Sequence, residues 1–288
     1  MKRGIAFNVK RLEGVDPAAS GSPSAGRPVA AGRWPGPDYR RAPPLMSTNR
    51  VRPRAPAQQN FETRRDELTG LPLDQRFEKI FQTNLWGAED SRSGLGSELD
   101  ATADLRAALP DFLERHRAAS LLDIPCGDFN WMSTLGLQLP YTGADIVAAI
   151  VEANERRFGG AGSGRRFVRL DLTRDPLPQA DVVLCRDCLV HLSFENIFRA
   201  FNNVRRSGAR YLLTTTFLDH EENVDIVDGD WRILNLEKAP FNLPAPVDVL
   251  IEGCREGDGA YSDKALGLWE AAALPAGRGP EGPPPQQS

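Results

Sequence analysis

Among its 288 residues the sequence has no run of 18 or more apolar side chains, so no segment is expected to cross a membrane as a helix. The opening ten residues are basic but lack the apolar stretch of a secretory signal. Cysteine is scarce: Cys126, Cys185, Cys188 and Cys254 fall in or beside predicted strands, which reads most simply as free thiols in a reducing cytoplasm. A second Cys-x-x-Cys to match Cys185 and Cys188 is missing, so a zinc ion would lack two ligands and no metal is expected. Positive charge is short in most of the chain. Residues 1–60 carry 11 Lys or Arg against 3 acids, which leaves 24 against 36 for residues 61–288. An acidic domain grips a phosphate backbone poorly, and this disfavours nucleic acid as a partner.

What is there centres on residues 120–132, Ser-Leu-Leu-Asp-Ile-Pro-Cys-Gly-Asp-Phe-Asn-Trp-Met. Leu121, Leu122 and Ile124 form the short apolar run of a parallel strand covered on both faces. Pro125 to Phe129 stop it, and Asn130 is placed to cap a helix. A loop between such a strand and a helix start offers unpaired backbone N–H groups to a carboxylate or phosphate. A dinucleotide loop wants three glycines in register, and only Gly127 is present.

Further strand and helix patterns follow in alternation. Tyr141 to Ile146 reads as a second strand, with Val147, Ile150, Val151 and Phe158 on the helix after it. Arg166 to Asp171 is a third strand and Asp181 to Cys185 a fourth. The fourth runs into Arg186, Asp187, Cys188 and His191, and Ser193 caps a helix carrying Ile197, Ala200, Phe201 and Val204. A fifth strand covers residues 209–216. This alternation predicts a doubly wound α/β fold. Ahead of it, Leu73, Phe77, Ile80 and Phe81 mark one helix, and Leu105, Ala108, Leu109, Phe112 and Leu113 another that Pro110 is expected to kink or divide. Residues 1–60, with 15 Gly or Pro, read as a disordered basic tail, and residues 275–288 as a second loose tail. Met46 is an alternative start. The domain between is expected over 61–274, with a helical lid to about 117 and a core from about 118.

Asp123, Cys126, Gly127 and Asp128 resemble the first motif of the class I S-adenosylmethionine-dependent methyltransferases, with Pro125 and Phe129 where that motif has glycines. The apolar strand, polar pair and His-Leu at 181–192 resemble the fourth motif of its small-molecule members. The Pro-Pro-aromatic motif of nucleic-acid amino-methyltransferases is absent. The resemblance covers about residues 75–270. It implies a mostly parallel seven-stranded Rossmann-like sheet with an antiparallel edge strand, preceded by N-terminal helices, and S-adenosylmethionine as cofactor. The implied cofactor contacts are Asp123, Cys126, Gly127, Asp128, Phe129, Ile146, Leu172 and Arg186. Asp145 would hold the ribose hydroxyls or cap the next helix. Asp171 would approach the adenine or serve as a turn residue. Trp86 and Arg92 would belong to a lid, or be a core aromatic and a solvated side chain.

The acceptor is expected to be an oxygen or nitrogen of a small molecule. Asp187 and His191 are the candidate catalytic residues, with His220 the rival base; Asp187 could equally cap its loop, and His191 could equally be a helix-start residue bonded to backbone. The alternatives are a nicotinamide- or other nucleotide-dependent oxidoreductase on the same sheet and a non-catalytic cofactor-binding or scaffold protein.

Overall fold

Seven strands form one sheet in the order β3-β2-β1-β4-β5-β7-β6 in the computed structural model, which describes residues 52–276. They are β1 (Leu121–Asp123), β2 (Tyr141–Asp145), β3 (Arg165–Arg169), β4 (Val182–Cys185), β5 (Tyr211–Phe217), β6 (Asp248–Ile251) and β7 (Lys264–Glu270). The first five run parallel, and β7 pairs antiparallel with both β5 and β6. Met46 and most of the two expected tails fall outside the described residues. No described helix is long and apolar enough to cross a membrane.

The central strands are covered on both faces. Alternate residues feed two cores: Leu122, Val183 and Cys185 pack on one side and Leu121, Val182 and Leu184 on the other. Helix α6 (Phe194–Arg206) closes the first side with Ile197, Ala200, Phe201 and Val204, all at most 1% exposed. Its start is capped as expected, since Ser193 accepts a hydrogen bond from the Asn196 N–H. Helices α4 (Ala103–Arg115) and α5 (Ala148–Phe158) cover the other side. Pro110 does not divide α4: Leu105, Leu109, Phe112 and Leu113 are buried on both sides of it, and that burial outweighs the one lost backbone bond.

Ahead of the sheet lie α1 (Pro56–Thr63), α2 (Arg65–Leu68) and α3 (Leu73–Gln82). The domain start expected at residue 61 falls inside α1, and Arg52 already makes a two-pronged pair with Asp263. The helix expected from Asn130 does not form. A single 3-10 turn, Met132–Thr134, takes its place, because Gly136 (φ +59°) and Pro140 leave room for no more before β2 begins.

Candidate active site

The carboxyl ends of β1, β2 and β4 and the segments following β1 to β4 line one cleft, beside the point where the sheet order reverses between β1 and β4. This is where open α/β sheets bind ligands. The cleft encloses about 1030 Å³ of non-atom space, its open mouth included. Leu73, Phe77, Phe81, Trp86 and Arg92 close it from the N-terminal side.

After β1, Gly127 adopts φ +53°, and a Cβ there would stand 2.2 Å from Ser93 Oγ. That approach is the reason for glycine at this position. The contact comes from the loop that carries the expected lid residues Trp86 and Arg92. Asp128 accepts hydrogen bonds from Ser91 Oγ (3.0 Å), Ser93 Oγ (3.3 Å) and the Arg92 N–H (3.0 Å), and its own N–H donates to Ser93 Oγ (2.9 Å). Its carboxylate thus fastens the N-terminal segment over the β1 loop. Arg92 is left exposed at the cleft mouth, with no side-chain partner among the described residues.

Three buried acids border the cofactor side. Asp123 accepts from the Tyr141 hydroxyl at 2.6 Å, and burial pushes its carboxyl up to about 7. At the end of β2, Asp145 accepts from the Val147 N–H (2.9 Å) and the Gly127 N–H (3.1 Å). Burial raises it to about 6 despite those two donors. Asp171 is turned in on its own loop, bonded by Thr173 N–H and Oγ1 and paired with Arg174. Cys126, Ile146 and Leu172 line the cleft as apolar or weakly polar wall.

The opposite wall carries paired charge. Arg186 meets Glu252 (Nη2 to Oε2, 2.7 Å) and Asp187 (3.1 Å), and Lys264 Nζ lies 2.7 Å from Asp187 and 3.5 Å from Glu252. Burial would raise Asp187, but the two cations outweigh it and hold the carboxyl at about 2. Asp187 has φ +50°, and its N–H donates to Thr215 Oγ1 at 2.8 Å. Arg186 also lies 5.5 Å over the Trp131 ring. Glu252 and Lys264 are absent from the sequence expectations. The one signal for Lys264 is a charge directly before the apolar run of residues 265–269.

His191 stacks on Trp86 with centroids 4.6 Å apart. Its Nδ1 faces the Asp230 carbonyl at 2.8 Å, so Nδ1 carries the proton and Nε2 presents a lone pair. Nε2 has no hydrogen-bond partner among the described residues. Burial lowers the ring to about 4. The Trp86 Nε1–H is buried with no hydrogen-bond partner among the described residues.

Two expected residues are not brought here. Phe129, at φ +57°, turns its ring into an aromatic cluster with Tyr141, Phe158 and Phe167 at about 5 Å, away from the cleft. His220 lies beyond β5, where the charges of Arg52, Asp263 and Glu221 act on it, and does not line the cleft.

Sheet order and the antiparallel β6–β7 pair give the chain the fold of class I S-adenosylmethionine-dependent methyltransferases. A scan of protein-family models gave no match, and neither did a search of curated proteins. Solved structures of similar fold include the SAM-bound amino pentose methyltransferase CalS10 from Micromonospora echinaspora, at 23% identity over 38% of this chain and 49% of that one, TM-score 0.34. The methyltransferase domain of bacterial CtHen1-C matches at 16% over 60% of this chain and 98% of that one, TM-score 0.45. The SAM-bound magnesium protoporphyrin IX methyltransferase from Synechocystis PCC 6803 matches at 14% over 56% and 83%, TM-score 0.42. The chain thus spans about half the length of CalS10. Chemistry at this distance has to be read from the chain's own residues.

Proposed function

We propose that this protein is a methyltransferase that uses S-adenosylmethionine to methylate a nitrogen or oxygen of a small molecule. The observation that carries this reading is the cleft itself, in which a glycine loop after β1 and an ionisable acid after β2 face each other at the switch point. These residues fit an adenosyl group with an amino-acid tail. Asp145 has lone pairs left for two adjacent ribose hydroxyls. The exposed Arg92 suits the carboxylate, and the orphan Trp86 Nε1–H suits an acceptor atom within the cleft.

When bound, the cofactor supplies a methyl group activated by its sulfonium: the acceptor's lone pair forms the new bond as the C–S bond breaks and its electrons stay on sulfur. The protein's part is to position and to exclude water. Leu73, Phe77 and Phe81 cover the cleft. His191, neutral at neutral pH, accepts a hydrogen bond at Nε2 and so orients the acceptor, while Asp187 keeps its charge. A cytoplasmic location is part of this proposal, and four free thiols are compatible with it.

Calorimetric titration of S-adenosylmethionine tests the reading. The expected result is binding of about micromolar Kd to the wild type, lost in Gly127→Asp, weakened in Asp145→Asn, with NAD not bound. No binding to the wild type, or binding of NAD instead, overturns it.

A further inference from the structure

A second chamber opens from the cleft, with about 610 Å³ of non-atom space including its mouth. The two share Trp86, Ser93, Asp187 and His191. Its far wall is aromatic: Tyr261 stands edge-on to Trp231 at 5.6 Å and to Phe217 at 6.2 Å. Residues 55–57 form its roof, held down by the Arg52–Asp263 pair and by the Tyr261 hydroxyl donating to the Pro53 carbonyl.

The charges around this chamber do not cancel. Arg186 and Lys264 are matched by Asp187 and Glu252 within the network already described. Glu256 is the carboxylate left over. It is half-buried in the chamber wall, and among the described residues no hydrogen bond or ion pair engages it. Its Oε1 and Lys264 Nζ each lie 3.5 Å, and Asp187 Oδ2 3.0 Å, from the point a Cβ on Gly96 would occupy, so the absence of a side chain at Gly96 keeps open a point faced by two carboxylates and one ammonium. The charges of Arg186 and Lys264 reach Glu256 without contact, and Arg52 lies 5.8 Å over the Phe217 and Tyr261 rings. A ligand entering here therefore meets the Trp86 and Trp231 rings, a net excess of one carboxylate and the Nε2 lone pair of His191, itself only 8% exposed.

We propose that this chamber binds an organic ammonium, so that the methyl acceptor is an amine. The proposal rests on the methyltransferase reading and narrows it. Aromatic faces attract cations, more so out of water. Glu256 and Asp187 repel a carboxylate or phosphate, and a neutral alcohol gains little from either. For transfer, the ammonium first gives its proton to water. The nitrogen lone pair then bonds the methyl carbon, the C–S pair stays on sulfur, and the positive charge appears on nitrogen in a chamber lined by two carboxylates.

The test uses three single-ring probes, benzylamine, benzyl alcohol and benzoate, titrated calorimetrically into the full chain with and without S-adenosylhomocysteine. Benzylamine is expected to bind at least about tenfold tighter than the alcohol, with benzoate weakest. In Glu256→Gln the amine is expected to lose about tenfold while the alcohol is unchanged. Absence of benzylamine binding, preference for benzoate or alcohol, or no effect of Glu256→Gln on the amine overturns the proposal. So does a Glu256→Gln protein that loses affinity for S-adenosylmethionine but not for S-adenosylhomocysteine, whose sulfur carries no charge, because Glu256 would then serve the sulfonium. Failure of S-adenosylhomocysteine to bind the wild type counts against the methyltransferase reading instead, and the probe preferences measured without it still decide the proposal.

Discussion

The two walls of the cleft use the same residue types in opposite ways. On the β1–β2 side, Asp123 and Asp145 are buried with only neutral donors: a tyrosine hydroxyl for one, two backbone N–H groups for the other. Desolvation wins there, and their carboxyls rise to about 7 and about 6. On the β4–β7 side, Asp187 sits against Arg186 and Lys264, and attraction wins. A buried carboxylate is therefore not a fixed quantity in this fold. The first wall gives up its charge near neutral pH, and the second keeps it down to about 2.

The sharpest way to break the contrast is to remove the cation from the second wall. Arg186→Met leaves Asp187 and Glu252 with Lys264 alone, and unfolding by denaturant is expected to show a loss of about 3–5 kcal/mol. A smaller effect separates the walls by pH. Because Asp145 titrates near 6, affinity for S-adenosylmethionine is expected to fall about tenfold from pH 7 to pH 5 as the carboxylate becomes protonated. Asp145→Asn binds more weakly and flattens the profile, whereas a decline that persists in that variant assigns it to another group. Smallest is Tyr141→Phe, which removes the side-chain donor from Asp123 and is expected to cost about 1 kcal/mol. The sign follows from linkage. Asp123 is raised in the fold, so the folded state holds its proton more tightly; its contribution is full below the ordinary aspartate pKa and lost as pH rises through about 7. Denaturation of Tyr141→Phe is thus expected to show a larger deficit at pH 8 than at pH 5, and an equal deficit at both would assign the loss to packing.

Much of the first wall was legible because its pieces are close in the chain. Asp145 follows Gly127 by 18 residues, at the end of the strand that comes next after the β1 loop, in the order the fold requires. The second wall was not, since Arg186 finds Glu252 66 residues later and Asp187 finds Lys264 77 residues later. No local pattern encodes such pairings; they exist only once β7 has been laid beside β5. The partners of Asp128 were hidden for a related reason. Its motif position pointed to the cofactor, while its oxygens are taken by Ser91, Arg92 and Ser93 from 35 to 37 residues upstream. Phe129 shows the limit of motif reading within one loop: its position fits, but a left-handed backbone sends the ring into the core.

The clasp between Arg52 and Asp263 joins residues 211 positions apart. During synthesis, Arg52 leaves the ribosome long before its partner exists, and helices α1 to α3 wait with it. The roof of the second chamber is therefore made long before β7 and secured only with it. Contacts of such sequence separation are slow to form, so the second chamber takes shape only after β7 has emerged, and until then the nascent chain holds its parts without the chamber.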